Sequence, residues 1–347
     1  MRLECNAVLA LSLCAAGCAN EAVDPPPPPP VNWQSLEVRK TAPSDVPTAH
    51  ERAVAEAYLA ALASPGFSSL GARLDPDAHF MFPGAHDAHG RDAIVQAHDS
   101  LLGAFDERTI VASRIWRTSS TQAVEWSLTG HQSREWMGVK AANKAVTIRG
   151  MALMWTRDDG SITDLHLYFD IAAVRAQLGE APRGLVDVAK SAFDGAHGAG
   201  STEPPRLFEQ TASSAEASNV ALVRAALSAL EGSDVAGYEA VMADSVDVQT
   251  PESARRGKGD AGAYFKAMHA AIGQLDTTVT EAWGVGPFAL VEYTIAGEQV
   301  GPIDGIPVQR DKALVLHILD VVEVASDKIA AIWRYDNRSE LLTELSF

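Results

Sequence analysis

Beyond residue 18 the chain has no cysteine; its three, Cys5, Cys14 and Cys18, all stand near the N-terminus. That absence excludes a disulfide framework, a thiolate metal centre and a cysteine nucleophile from the rest of the chain. Long apolar runs are also missing, and none approaches the ~20 residues a membrane-spanning helix needs. Positive charge is scarce, with 28 Lys and Arg against 45 Asp and Glu and a formal net charge of −17. Nucleic acid and anionic lipid surfaces demand clustered basic side chains, so both are excluded as main partners. No nucleophile elbow, phosphate-binding loop or dinucleotide fingerprint occurs, and no cofactor is expected. What is present is ordinary for a folded protein: 47% hydrophobic and 21% charged residues over 347 positions. That length is about twice the commonest domain size and predicts two domains.

The N-terminus carries its own signals. Arg2 is a small positive start, and Ala7 to Ala16 form an apolar stretch too short to cross a bilayer, the pattern of an export signal. Ala15-Ala16-Gly17-Cys18 follows and resembles the lipobox at which bacterial lipoproteins are cleaved and acylated on cysteine. Residues 1–18 are therefore expected to be a lipoprotein signal peptide, with Cys18 as the lipidation site. This places the protein outside the cytoplasm, on the outer-membrane or periplasmic side of a bacterial envelope, touching the membrane through the lipid anchor alone. Ordinary secretion after cleavage is the competing reading. Pro25 to Pro30 form an unbroken proline run. In a polyproline II helix of ~3.1 Å per residue it would span about 19 Å, so residues 19–47 read as a stiff tether.

An internal repeat decides the architecture. Trp116 and Trp283 lie 167 positions apart, and the same offset pairs Asp77 with Asp244, Gly90 with Gly257, Glu125 with Glu292, Gly130 with Gly297 and Gly138 with Gly305. Val124-Glu125-Trp126-Ser127-Leu128-Thr129-Gly130 reads like Val291-Glu292-Tyr293-Thr294-Ile295-Ala296-Gly297. One deletion later, Tyr168-Phe169-Asp170 faces Arg334-Tyr335-Asp336. Each copy begins with helical periodicity (His50 to Ala63; Val220 to Leu230) and a short second helix (Phe67 to Leu74; Val235 to Ala243). A short strand (His79 to Phe82; Val246 to Gln249) and a third helix (Asp92 to Phe105; Asp260 to Ile272) follow. The period then changes to two, predicting four strands per copy, the last two joined by turns at Asp158-Asp159-Gly160 and Ser326-Asp327. The resulting expectation is an α+β fold of two tandem cone-shaped domains, each with three N-terminal helices packed on a curved antiparallel sheet that encloses a pocket. Domain 1 spans 48–180 and domain 2 spans 218–347. The Ala-, Gly-, Ser- and Pro-rich segment 181–217 is a linker in which Leu185 to Phe193 are compatible with a short helix.

Helix, helix, short strand, Gly90-led helix and long strands ending in Tyr168-Phe169-Asp170 resemble the SnoaL-like polyketide cyclases of the nuclear-transport-factor-2-like superfamily. Gly90-Arg91-Asp92-Ala93-Ile94, Leu128-Thr129-Gly130-His131 and Gln177-Leu178-Gly179 carry the resemblance in the first copy. Gly297, Lys328-Ile329 and Tyr335-Asp336 carry it in the second. It implies a ligand cavity between sheet and helices. It also implies an acid/base role for the Asp that closes the last strand, here Asp170, with Asp336 as its counterpart.

Alternation puts Asp164, His166, Tyr168 and Asp170 on one strand face. From the pattern this stripe faces either solvent or a cavity; the resemblance favours the cavity. Asp170 is then the candidate general acid/base, with Tyr168 and His166 as hydrogen-bond donors. Phe80, His131, Met151 and Trp155 are candidate ligand-binding walls. In the second copy Arg334 beside Asp336 would keep that carboxylate ionised and weaken it as a base, so chemistry is assigned to domain 1. His86-Asp87-Ala88-His89 invites a metal, but the second copy has no histidine there and no metal is expected. Three functions stay open: binding a small apolar molecule in the domain 1 cavity, isomerase-, cyclase- or hydratase-type proton transfer by Asp170, and a protein-interaction scaffold. The two copies could also pair as an internal pseudo-dimer.

Overall fold

The computed structural model describes residues 54–180 and 205–345, apart from 252, 304–305 and 310–311. The export signal, Cys18, the proline run and the expected helix at Leu185 to Phe193 lie outside the described residues. Within this part no helix is long and apolar enough to cross a membrane.

The first repeat opens with helix α1 (Val54–Ala63), a 3-10 turn (Pro65–Phe67) and the one-turn α2 (Ser68–Gly71). Strands β1 (Leu74–Phe82) and β2 (His86–His89), helix α3 (Arg91–Leu102) and the long strands β3 (Phe105–Arg117), β4 (Thr121–Gln132), β5 (Ala145–Thr156) and β6 (Ile162–Phe169) follow, closed by α4 (Ile171–Gln177). A linker strand, β7 (Arg206–Glu209), adds to the edge of β3. The second repeat runs α5 (Ser214–Glu231), α6 (Val235–Val241), β8 (Met242–Gln249), β9 (Ala254–Arg256), α7 (Lys258–Ala271), β10 (Ile272–Val285), β11 (Phe288–Gln299), β12 (Ala313–Ala325), β13 (Lys328–Tyr335) and α8 (Arg338–Glu344). The sheet orders are β2-β1-β6-β5-β4-β3-β7 and β10-β11-β12-β13-β8-β9.

Both sheets are mixed rather than purely antiparallel, because β1 lies parallel to β6 and β8 parallel to β13. The first strand of each repeat starts four or five residues earlier than periodicity predicts, and His86 to His89 form a strand that periodicity does not predict. Both repeats also gain a C-terminal helix, nucleated by a side-chain cap. Asp170 accepts from the Ala172 N–H at 3.0 Å, and Asn337 accepts from the Ser339 N–H at 3.2 Å.

These caps expose an error in the expected alignment. Glu125 pairs with Met151 and Met151 with Tyr168, as Glu292 pairs with Leu319 and Leu319 with Tyr335, so the offset is 168 in the strand before and 167 again in the last strand, not 166. The counterpart of Asp170 is Asn337, and Asp336 matches Phe169. Matching aspartate to aspartate slips the register by one, which exchanges the two faces of a strand.

Alternation sorts each strand into two environments. Val124, Trp126 and Leu128 of β4 and Leu165, Leu167 and Phe169 of β6 pack on the helices of the first repeat. Val291, Tyr293 and Ile295 of β11 do the same in the second. The opposite faces meet in a third cluster: Trp116, Ala123, Met151, Leu153 and Tyr168 against Phe288, Leu290, Leu319, Val321, Trp333 and Tyr335. Gly150 is required by packing, since a Cβ there would overlap the Trp126 ring.

Candidate functional site

The stripe Asp164, His166 and Tyr168 lies on the face turned towards the second repeat, opposite the helix-packed face of the first cone. Tyr168 is fully buried and its hydroxyl donates to Glu292 Oε1 at 2.6 Å. His166 Nδ1 meets the same oxygen at 2.6 Å. Burial alone would lower the His166 pKa, but Glu292 and Asp164 raise it to about 10. The arrangement is mirrored: the Tyr335 hydroxyl donates to Glu125, which Arg114 also grips through two 2.7 Å hydrogen bonds. Burial works against ionising Glu125, yet Arg114, Ser113 and Tyr335 bring its pKa down to about 2. Arg114 also lies 4.0 Å over the Trp333 ring.

Asp170 is buried, with its carboxylate held by the Arg338 guanidinium at 2.7 Å as well as by its capped helix. Burial raises its pKa and Arg338 opposes the rise. The four expected wall residues do not share one surface. Phe80 lies in the inner core of the first repeat, while Met151 and Trp155 pack on the outer face. His131 is half-exposed at a strand end beside Glu107, at 3.5 Å.

Large side chains are buried on the inner face of the first cone. Among them is a pair that local spacing does not reveal, Tyr58 and His98, whose hydroxyl and Nε2 lie 3.2 Å apart with both side chains fully buried. His98 Nδ1 donates to the Ile94 carbonyl at 2.8 Å. Burial brings its pKa down to about 4, so the ring is neutral.

The second cone holds a cavity of about 180 Å³. Met268, Ile272, Ile303, Leu316, Ile318 and Leu341 form its apolar walls, and Tyr264, Arg334, Asp336 and Glu340 also line it. Arg334 is engaged across the sheet. Its Nε and Nη2 bond both oxygens of Asp320 at 2.9 Å, Nη2 also donates to the Tyr293 hydroxyl at 2.6 Å, and Nη1 donates to the Tyr264 hydroxyl at 2.8 Å. Arg334 and Tyr264 also border a smaller space of about 30 Å³ deeper in the cone. Strand register makes Arg334, Asp320 and Tyr293 the counterparts of Leu167, Ala152 and Trp126 of the first repeat. At these positions the first repeat has apolar side chains, whereas the second carries a buried ion pair with two tyrosines beside a cavity.

Two α+β cones, each with helices on a mixed sheet, define the nuclear-transport-factor-2-like class. The chain belongs to the SnoaL-like domain family, whose model matches residues 55–165 and again 223–332. Among solved structures, one described as a SnoaL-like polyketide cyclase from Jannaschia sp. CCS1 is 16% identical with a TM-score of 0.37, covering 40% of this chain and 98% of its own. An LEH-like epoxide hydrolase of M. tuberculosis is 18% identical with a TM-score of 0.32, covering 38% and 90% respectively. A protein with a ketosteroid isomerase-like fold from Catenulispora acidiphila, in complex with trimethylamine, is 15% identical with a TM-score of 0.33, covering 36% and 92%. No curated protein matches the chain.

Proposed function

We propose that this is an exported, envelope-anchored protein that binds one small, mostly apolar molecule in the cone of its second repeat, the first repeat serving as its structural partner in an internal dimer. The observation that carries this reading is the 180 Å³ cavity with apolar walls and the Arg334–Asp320–Tyr293–Tyr264 network beside it. A cavity near 150 Å³ admits benzene, so the ligand has the size of a single ring or a short chain. A buried ion pair is costly against an apolar alternative. Its presence where the first repeat has Leu167 and Ala152 favours a role in recognising a polar atom of the ligand.

Native mass spectrometry of the protein released from its own envelope tests this. The wild type should carry one small adduct, and Ile318→Trp, which fills the cavity, should lose it while remaining folded. A wild type without any adduct, or an adduct retained by Ile318→Trp, would contradict the reading.

A second reading is isomerase-, cyclase- or hydratase-type proton transfer. It moves from Asp170 to Asp336, because Asp336 lines the cavity whereas Asp170 is held by Arg338 and its helix cap. It requires the bound molecule to gain deuterium from D2O on the wild type and not on Asp336→Asn.

A further inference from the structure

We propose that the first repeat carries a metal site on the outer face of β1 and β6, with His79, Asp164 and His166 as ligands for a divalent transition ion such as zinc(II).

Strand alternation places the three side chains together. His79 shares its face with Met81 on β1, Asp164 shares its face with His166 on β6, and the parallel ladder pairs His79 with Asp164 and Met81 with His166. The Asp164 carboxylate oxygen lies 2.9 Å from His79 Nδ1 and 3.3 Å from His166 Nε2. One ligand atom from each residue falls within a sphere where all are within 4.8 Å of one another. Ions bound at ~2.0–2.1 Å to nitrogen and oxygen hold neighbouring ligand atoms about 2.9–3.4 Å apart, so little movement closes the site.

The remaining ring nitrogens show the outer contacts of metal-binding histidines. His166 Nδ1 sits 2.6 Å from Glu292 Oε1, and His79 Nε2 sits 2.9 Å from Asp87 Oδ1. A carboxylate on the far nitrogen fixes the tautomer and turns the near nitrogen to the ion. Both imidazoles therefore present a free lone pair towards Asp164 once an ion replaces the proton between them. Two histidines and one carboxylate suit zinc or a non-haem divalent ion and leave coordination positions open. The site has solvent access, with side-chain exposures of 29% for His79, 37% for Asp164 and 16% for His166. The corresponding positions of the second repeat are Asp247, Ala331 and Trp333, which cannot form such a set.

The test is metal binding to the chelator-stripped full chain. Zinc(II) titration by calorimetry should give one equivalent per chain, and cobalt(II) should give visible d–d bands without sulfur charge transfer, which separates the site from the N-terminal cysteines. His79→Asn and Asp164→Asn should each weaken zinc at least about 100-fold, and Asp87→Asn, at an exposed outer contact, about 10–100-fold. His131→Asn, remote from the cluster, should change nothing, and circular dichroism checks that each variant is folded. A wild type that takes up no stoichiometric zinc and shows no cobalt bands overturns the proposal, as do His79→Asn and Asp87→Asn variants that bind like wild type.

Discussion

Tyr168 donates a 2.6 Å hydrogen bond to Glu292 in the second repeat, and Tyr335, its counterpart, donates to Glu125, the counterpart of Glu292. Residue i meets j while j meets i, which is the signature of an isologous interface, here inside one chain. A hydrogen bond to a charged group contributes about 1.5–3 kcal/mol. Tyr168→Phe leaves Glu292 still bonded by His166, so the expected loss is at the lower end, about 1–2 kcal/mol in urea unfolding. Tyr335→Phe should match it, because Arg114 still holds Glu125. Losses near zero for both would show that these contacts do not stabilise the paired sheets.

A second reciprocal pair closes the same face, with Arg338 on Asp170 and the Ile171 N–H donating to Asn337 at 3.2 Å. Removing one partner of a buried pair strands the other charge, at about 3–5 kcal/mol. Arg338→Met should lose that much in denaturant unfolding, and adding Asp170→Asn should restore part of it. If the double variant is as unstable as the sum of the singles, the two side chains do not act as a pair.

Acid sensitivity should come in two windows. His98 has a folded pKa of about 4 against an ordinary 6.5, so the unfolded chain binds the extra proton first. Its contribution to stability is present above 6.5, falls as pH drops, and levels off near 4. Glu125, at about 2 against 4.5, contributes stability above 4.5 that is lost as pH falls towards 2. Thermal melts of His98→Gln should flatten the upper window alone, and those of Glu125→Gln the lower. A variant curve parallel to wild type in its own window would refute that assignment.

The proposed envelope anchoring rests on Cys18, outside the described residues. Metabolic labelling with an alkyne fatty acid should mark the wild type and fail on Cys18→Ser, which should then appear in the soluble fraction. Labelling that survives the substitution would place the lipid on another residue, and an unlabelled wild type would contradict lipidation.

Much of the fold is legible in the chain because Trp116 and Trp283, Glu125 and Glu292, and the paired glycines sit at one offset, and because strand alternation announces each face. The destination of those faces is not legible. Asp164, His166 and Tyr168 read as a polar stripe, but the carboxylate that takes up His166 and Tyr168 lies more than a hundred residues away on β11. His79 joins the cluster only through the parallel pairing of β1 with β6, which no local spacing encodes. The pattern predicts a pocket in each cone and assigns the ligand to the first, because Asp170 ends its last strand. The structure uses Asp170 as a helix cap and an ion-pair partner, and places the buried Arg334–Asp320 pair beside a cavity in the second repeat. Neighbouring strands, rather than neighbouring residues, decide both outcomes.

The central claim is that the second cone, and not the first, holds the ligand. Calorimetric titration with a single-ring probe such as p-cresol tests it most directly, using wild type, Ile318→Trp in the second cone and Phe80→Leu in the first. The account predicts saturable binding at one site, unchanged by Phe80→Leu and abolished by Ile318→Trp. Binding that survives Ile318→Trp, or is lost with Phe80→Leu alone, would contradict it.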